Sequence, residues 1–295
     1  MNEVTKKRDY SSIIIWLLIA IYAIAIFAFA RSPLMGTNIL EVVGVVLLLL
    51  HGAKRYGWKG ILAFIIITYI ISTASEDLSI HTGFPFGHYY YTTSGGLPWW
   101  IDRVPVTVAP MYIAIGYISW TIGTVILDHM DLHLDNKVNR FLLPMLSAFV
   151  MVQFDLVQDP STSTYAGIWI WQHAGGFFGV PLVNFLGWYL TCYVFMQIFA
   201  LFLAKNNQLI KRTANLNDKK YWLQPIVVYG LVALSYVAQF LININNHKVL
   251  TDRVGHTWTV SNLYETAVLV MLFTMFYTVV LAFIRLFKQS KTIFD

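Results

Sequence analysis

Residues 13–30 read IIIWLLIAIYAIAIFAFA, an unbroken run of apolar side chains without a single charge. About 20 such residues cross the hydrocarbon core of a bilayer as an α-helix. The run resembles the apolar part of a signal sequence, but no small-residue cleavage site follows it and further runs of the same kind come after it. It therefore predicts a retained transmembrane helix.

Further apolar runs follow along the chain. Hydrophobic residues make up 57% of the 295 residues and charged residues only 12%, whereas a soluble domain carries roughly 25% charge. The predicted spans are 12–30, 38–53, 59–75, 105–127, 141–157, 181–204, 223–244 and 262–286. We therefore predict an all-α fold, a polytopic membrane helical bundle of about eight transmembrane helices that forms one integral membrane domain over residues 1–295.

Lys and Arg are distributed unevenly between the two sides that this map defines. Cytoplasmic loops of membrane proteins collect these residues. With the N-terminus inside, 16 of the 20 fall on the inner side, and the outer side holds Arg31, Arg103, Lys248 and Arg253. The sequence therefore predicts a protein of the plasma membrane with both termini in the cytoplasm. Membrane topology also accounts for the net charge of +5, so no nucleic-acid partner is expected.

Five carboxylates lie at or near the outer ends of the predicted helices: Glu41, Glu76, Asp155, Asp159 and Glu265. Acids within membrane spans are costly and usually mark a functional cavity. The alternative is that each of them caps a helix end in headgroup water. Because outer cations are too few to pair with all of them, the pattern favours a shared polar pocket on the outer side.

Two loops on the outer side break the helical pattern. The first, residues 75–91, reads SEDLSIHTGFPFGHYYY. Such a segment can re-enter the membrane only where it lines protein or a cavity, so we predict helix-breaking, re-entrant loops on the outer face. The tyrosines also have an ordinary explanation, since aromatic rings form belts at the membrane interface.

The second loop follows the pair Asp155 and Asp159. Four residues apart, the two acids share one face if the helix continues that far, although Pro160 makes Asp159 a helix-end residue. Two acids on one face repel each other, which favours a protonated carboxyl of the kind that general acid catalysis requires. The alternative is that Asp159 is only a turn residue before proline.

Together these residues resemble one known family. The motifs are Glu76 followed by Gly, Phe-Gly and Tyr-x-Tyr, then Asp-x-x-x-Asp-Pro at 155–160, Gly-x-Trp-x-Trp at 167–171 and Gly-Val-Pro-x-x-Asn-Phe-x-Gly-Trp at 179–188. The pattern resembles the carotenoid biosynthesis hydratases, which include bisanhydrobacterioruberin hydratases and γ-carotene and lycopene 1,2-hydratases. One departure is Phe154, where the family pattern leads us to expect Trp. This difference concerns packing more than chemistry.

The resemblance implies addition of water across the terminal C1=C2 bond of an acyclic carotenoid end, giving a tertiary alcohol without any cofactor or metal. Asp155 would be the proton donor and Asp159 or Glu76 would handle the water, with donor and base interchangeable. Asn184 would orient the water or a carboxylate. The expected substrate-binding residues are Phe86, Tyr89, Tyr91, Trp169, Trp171, Phe178, Trp188 and His81. The expected partners are a hydrophobic carotenoid, water, the lipid bilayer and other carotenoid biosynthesis enzymes.

Three other functions fit parts of the sequence. A transporter or channel would also use intramembrane acids and broken helices. A carotenoid cyclase or isomerase would use the same acid but exclude water. A di-iron hydroxylase needs clustered histidines, whereas only His129 and His133 of the eight have a ligand-like spacing. The lone Cys192 excludes an intramolecular disulfide and a multi-thiolate metal site.

Overall fold

The computed structural model describes residues 10–92, 100–210 and 218–288. Within them, seven helical segments are long and apolar enough to cross a membrane, which confirms the predicted all-α polytopic bundle and indicates an integral membrane protein. The long α-helices are α1 (Tyr10–Ala28), α2 (Pro33–Leu47), α3 (Ala53–Thr82), α4 (Val108–Ile126), α5 (Lys137–Asp159), α6 (Leu182–Lys205), α7 (Lys219–Asn243), α8 (Val260–Met271) and α9 (Tyr277–Lys288).

The segment Met35–Thr82 contains the second and third predicted spans. Its 48 residues would reach about 70 Å as one straight helix, far more than the roughly 30 Å of a bilayer core. Gly57 interrupts it with non-helical backbone angles (φ 65°, ψ 171°), a conformation that glycine adopts readily. Because Asn38 and Glu76 line one cavity, the chain reverses between them. The spans 38–53 and 59–75 are therefore two crossings within one broken segment.

In the part of the chain that the structure describes, three π-helical turns continue or join the helices. They are Leu48–Gly52 before α3, Pro160–Tyr165 after α5 and Leu272–Phe276 between α8 and α9. In the turn after α5, hydroxyl groups replace the lost helical bonds: Ser161 Oγ donates to the carbonyl of Gln158 at 2.8 Å, and Ser163 Oγ donates to that of Asp159 at 2.8 Å. Single π turns often occur at functional sites.

Side-chain caps fix where several helices begin. The Oγ of Ser32 accepts from the amide of Met35 before α2, and the Oδ1 of Asn136 accepts from the amide of Val138 before α5. Asp218 caps α7 and Thr259 caps α8 in the same way. Such caps satisfy amides that lack an intrahelical partner.

Short strands join the loops at one end of the bundle, which we call the site end. Strand β1 (Tyr89–Tyr91) pairs antiparallel with β4 (Trp169–Trp171), β2 (Trp100–Ile101) with β3 (Val104–Pro105), and β5 (Val249–Thr251) with β6 (Thr257–Thr259). The predicted helix-breaking loops are therefore organised by strand pairing. Their re-entry into a bilayer stays a prediction.

A buried ion pair closes the opposite end, which we call the basic end. Arg55 donates two hydrogen bonds of 2.8 Å to the Asp131 carboxylate, which also accepts from the Tyr56 hydroxyl. The pair joins the first turn of α3 to the 3-10 turn Met130–His133 between α4 and α5. The orientation of this end toward the cytoplasm stays a prediction. Some of the basic residues on which that prediction rests lie outside the described residues: Lys6, Lys7, Arg8, Lys211, Arg212 and Lys291.

Helix α4 forms the centre of the molecule and is buried along nearly its whole length. Its middle packs against α5 and α6, where Ile115, Ile118, Met151, Phe195 and Phe199 are at most 1% exposed. An apolar layer of this kind separates the site end from the basic end.

Candidate active site

A cavity of about 110 Å³ lies at the site end between α2 to α6 and the strands β1 and β4. A water molecule needs about 10–15 Å³ on the same measure. The cavity therefore has room for several water molecules, or for an organic group together with water. Its walls combine carboxyl groups with aromatic rings. None of the described residues that line it is Lys, Arg or His.

Carboxyl groups from three helices reach the cavity. Glu76 comes from α3, Asp155 and Asp159 come from α5, and Glu41 comes from α2. Glu76 and Asp155 are each 4% exposed and Asp159 is 1% exposed. Isolated charges at such depth are strongly unfavourable unless they are hydrogen-bonded or neutralised by a proton. The hydrogen bonds of each group therefore indicate which charge state it can hold.

Asn184 joins the two aspartates. Its Nδ2 atom donates to Oδ2 of Asp159 at 2.5 Å and to Oδ2 of Asp155 at 3.2 Å. This arrangement requires both acids on one face of α5, which the spacing of four residues provides. The α-helical part of α5 ends at Asp159 and continues as the π turn that begins with Pro160.

Glu76 has the opposite environment, because three tyrosines donate to it. The hydroxyl groups of Tyr89 and Tyr91 donate to Oε2, the second at 3.0 Å, and that of Tyr112 donates to Oε1 at 2.8 Å. Burial and the neighbouring Glu76 raise the pKa of Tyr89 and Tyr91 well above the usual range, so both phenols keep the protons they donate. These three phenol donors stabilise an ionised carboxylate at Glu76, although no cation lies beside it in the cavity lining.

The strand pair β1–β4 supplies the aromatic wall. Tyr89 lies opposite Trp171, and Tyr91 lies opposite Trp169. Because side chains alternate between the two faces of a strand, these four rings point to one face, toward the cavity. This is the structural reason for Tyr-x-Tyr in one loop and Trp-x-Trp in the other.

The loop before β1 rests directly on α6. A Cβ atom at Gly187 would lie 2.4 Å from the carbonyl oxygen of Pro85, so only glycine permits this contact. The contact sets Phe86 and Trp188 against the cavity, with Trp188 stacked on Tyr112 at 4.4 Å between ring centroids. The Gly-Trp motif therefore adds two aromatic rings to the wall of the cavity that contains the carboxyl groups.

The family model described as carotenoid biosynthesis protein matches residues 36–257, about three quarters of the chain. The chain belongs to this family. It therefore has a role in carotenoid biosynthesis, and the resemblance drawn from the sequence is confirmed at the family level. The same comparisons find no match among proteins of curated function and none among solved structures. All the residues that line the cavity of this carotenoid biosynthesis protein fall within the matched region.

Most site residues predicted from the sequence of this family member come together in the cavity. They are Glu76, Phe86, Tyr89, Tyr91, Asp155, Asp159, Trp169, Trp171, Asn184 and Trp188. They come from five separate stretches of the chain. These residues, which are far apart in the sequence, therefore share one cavity.

Three predicted residues do not reach the cavity. Phe178 packs in a separate apolar cluster, where its ring centroid lies 5.7 Å from that of Trp258. Its backbone has a left-handed φ of 52°. His81 is five residues beyond Glu76 on α3, on a different helical face, and lies exposed beside Asp102. Glu265 is exposed on α8. The positions of these residues in the chain did not determine the direction of their side chains.

Other lining residues were missed as site residues. Tyr112 is one tyrosine in an apolar helix, and its sequence neighbours give no sign that it bonds to Glu76. Thr37, Asn38 and Gln158 also line the cavity, as does Glu41, which the sequence placed in a pocket but not among the catalytic residues. For Gln158 a signal existed, since it lies between the two aspartates on one turn of α5.

Proposed function

We propose that this protein is a carotenoid hydratase, which adds water across the terminal C1=C2 double bond of an acyclic carotenoid end to give a tertiary alcohol. One observation carries the proposal: carboxyl groups in two different hydrogen-bonding environments face one buried, aromatic-walled cavity. Such a pair of environments can separate an acid from a base. The reaction consumes one alkene and one water and needs neither a redox cofactor nor a metal.

The aspartate pair is suited to donate the proton. Two carboxyl groups that share one amide nitrogen and meet no cation hold a proton more easily than two negative charges. Asp155 is 4% exposed and Asp159 is 1% exposed, so we assign the donation of the proton to Asp155. Its O–H bond breaks as a C–H bond forms at C2, and the alkene electrons leave a tertiary cation at C1.

Glu76 is suited to handle the water. Three tyrosine donors support it as a carboxylate, which can accept a proton from a water that attacks C1. The new C–O bond completes the tertiary alcohol, and the proton on Glu76 returns to solvent as the donor is reloaded. Aromatic faces such as those of Trp169 and Trp171 stabilise the cation by roughly 0.5–2 kcal/mol per ring.

The surroundings agree with a lipid-soluble substrate. A carotenoid is a long apolar rod that dissolves in the bilayer, so a cavity near one end of a membrane bundle would meet the end of the rod. We propose the plasma membrane as the location, with both termini in the cytoplasm and other carotenoid biosynthesis enzymes as partners. Transport is less well supported, because buried Ile115, Ile118 and Phe195 fill the bundle beyond the cavity.

The direct test is expression in a bacterium that makes lycopene, followed by mass analysis of the extracted pigments. A gain of one or two waters per pigment is expected. A gain of oxygen without hydrogen would point to an oxygenase, and rearranged pigment of unchanged mass to a cyclase or isomerase. Either result, or unaltered pigment, would refute hydration.

The variant Asp155→Asn tests the acid itself. The amide keeps the size of the side chain but donates no acidic proton, so we expect hydrated pigment to disappear while the folded protein remains in the membrane. The matched control is Asp135→Asn, an identical change in an exposed turn at the basic end. Hydration by Asp155→Asn at the level of the control would remove Asp155 from the mechanism.

A further inference from the structure

A second cavity adjoins the carboxyl cavity. It has a volume of about 30 Å³ and lies between α1, α2, α5 and α7. Thr37, Phe154, Gln158 and Thr162 line both cavities, so the wall between them is one side chain thick. On the measure used above, a water molecule needs about 10–15 Å³, so the second cavity has room for water.

Its lining is polar in the places where water would bind. Within the described chain, Oε1 of Gln158 and Oε1 of Gln239 are buried atoms without a hydrogen-bond partner. Gln239 is only 8% exposed as a whole. Buried polar atoms are nearly always satisfied by protein or by ordered water. Two such atoms on one small cavity therefore indicate bound water.

The cavity also leads from the surface to the acids. One end is formed by the turn between α1 and α2, where Ser32 is exposed. The other end is Gln158, which lies on the turn of α5 between Asp155 and Asp159. A side-chain amide at this position can accept from one water and donate to another.

We propose that the second cavity binds water and supplies it to the carboxyl cavity past Gln158, which acts as a positioning residue for the attacking water. The inference rests on the proposed hydration for its role, but the presence of water can be measured independently of activity. It adds an access route for the second substrate, separate from the route that an apolar rod takes through the bilayer.

Radiolytic labelling of the purified full chain in ¹⁸O-enriched water tests for bound water, because hydroxyl radicals oxidise rings beside it. Tyr236 lines the second cavity, whereas Tyr229 lies on the same helix, fully buried, and lines neither cavity. We expect several-fold more labelling of Tyr236 than of Tyr229. Labelling of Tyr236 as low as that of Tyr229 would overturn the inference whether or not the chain hydrates carotenoids.

A matched pair of variants at Ser235 tests the route. Ser235 lines the second cavity, and its hydroxyl bonds only to a carbonyl of its own helix in the described chain. Ser235→Leu fills the space and Ser235→Ala leaves it open, although both remove the hydroxyl. We expect Ser235→Leu to lose several-fold in both Tyr236 labelling and hydrated pigment relative to Ser235→Ala. Equal hydration by both folded variants would overturn the route.

Gln158→Met tests the positioning role and also serves if Ser235→Leu fails to accumulate. Membranes are incubated in D₂O with an unlabelled acyclic carotenoid. If Gln158 positions water, the cation still forms and returns a proton to the carboxylate, so the ratio of deuterium-exchanged to hydrated pigment rises several-fold. A parallel fall in exchange and hydration, or unchanged hydration, would overturn the role of Gln158.

Discussion

At the scale of single residues, hydrogen bonds distinguish carboxyl groups that share one cavity. Glu76 accepts from three phenols, whereas Asp155 and Asp159 divide one amide nitrogen between them. Donors lower the free energy of a charged carboxylate, and a shortage of donors favours the protonated form. A base and an acid can therefore coexist in the cavity although each is a simple carboxyl group.

The hydroxyl of Tyr112 should matter more than its ring. Tyr112→Phe keeps the stacking on Trp188 but removes the donor to Oε1 of Glu76. A hydrogen bond to a charged group contributes about 1.5–3 kcal/mol, so we expect about a tenfold or larger loss of hydration rate. Pigment assays on membranes with equal protein measure it. Tyr193→Phe is the control, since the Tyr193 hydroxyl donates to Gln197 and lies outside the cavity lining. Equal activity of the two variants would contradict the role of the bond between Tyr112 and Glu76.

At the scale of elements, the β1–β4 pair gives a prediction because neighbouring residues of a strand point to opposite faces. Tyr89 points to the cavity and is 3% exposed, whereas Tyr90 points away and is 38% exposed beneath the guanidinium of Arg253. Tyr89→Ala should abolish most hydration because it removes a Glu76 donor and a wall of the cavity. Tyr90→Ala should retain it. Pigment analysis of both variants decides, and a greater loss in Tyr90→Ala would show that the strand faces are reversed.

The contact between the first loop and α6 gives a prediction about stability. Gly187→Ala would place a methyl group 2.4 Å from the Pro85 carbonyl oxygen, and relieving such an overlap typically costs about 1–3 kcal/mol. We expect a lower unfolding temperature in detergent. Gly176→Ala is the control, because a methyl group there meets nothing within 4 Å. Equal unfolding temperatures would mean that the loop shifts without cost.

The helices and loops also explain which site residues were predictable from the sequence. The acids and Asn184 were predictable because polar groups in apolar spans need a reason to be there, and Asp155 and Asp159 share a face at their spacing. Tyr112, Thr37 and Asn38 were not, because the face that a membrane helix turns to a cavity depends on its neighbours. Phe178 and His81 lie outside the cavity for different reasons, since Phe178 has a left-handed backbone angle in a loop and His81 lies on another face of α3 than Glu76.

At the scale of the whole molecule, the bundle has two chemically different ends. Carboxyl groups meet in a cavity at the site end, an apolar layer follows, and the buried Arg55–Asp131 pair lies at the basic end with Lys137, Lys205 and Lys219 at nearby helix termini. Basic residues favour the cytoplasmic side. This asymmetry predicts that the cavity lies near the outer surface, where it would meet one end of a membrane-dissolved rod.

The lone cysteine makes this orientation measurable. Cys192 is 0% exposed, so the unaltered chain should resist a membrane-impermeant maleimide and supply the background. Cysteines are then placed one at a time in exposed turns, as His247→Cys at the site end and Asp135→Cys at the basic end. In intact bacterial cells we expect labelling of His247→Cys alone, with Asp135→Cys reacting only after the membrane is opened. The reverse pattern would place the cavity on the cytoplasmic side, so that its water would come from the cytoplasm and the charge argument would fail for this chain.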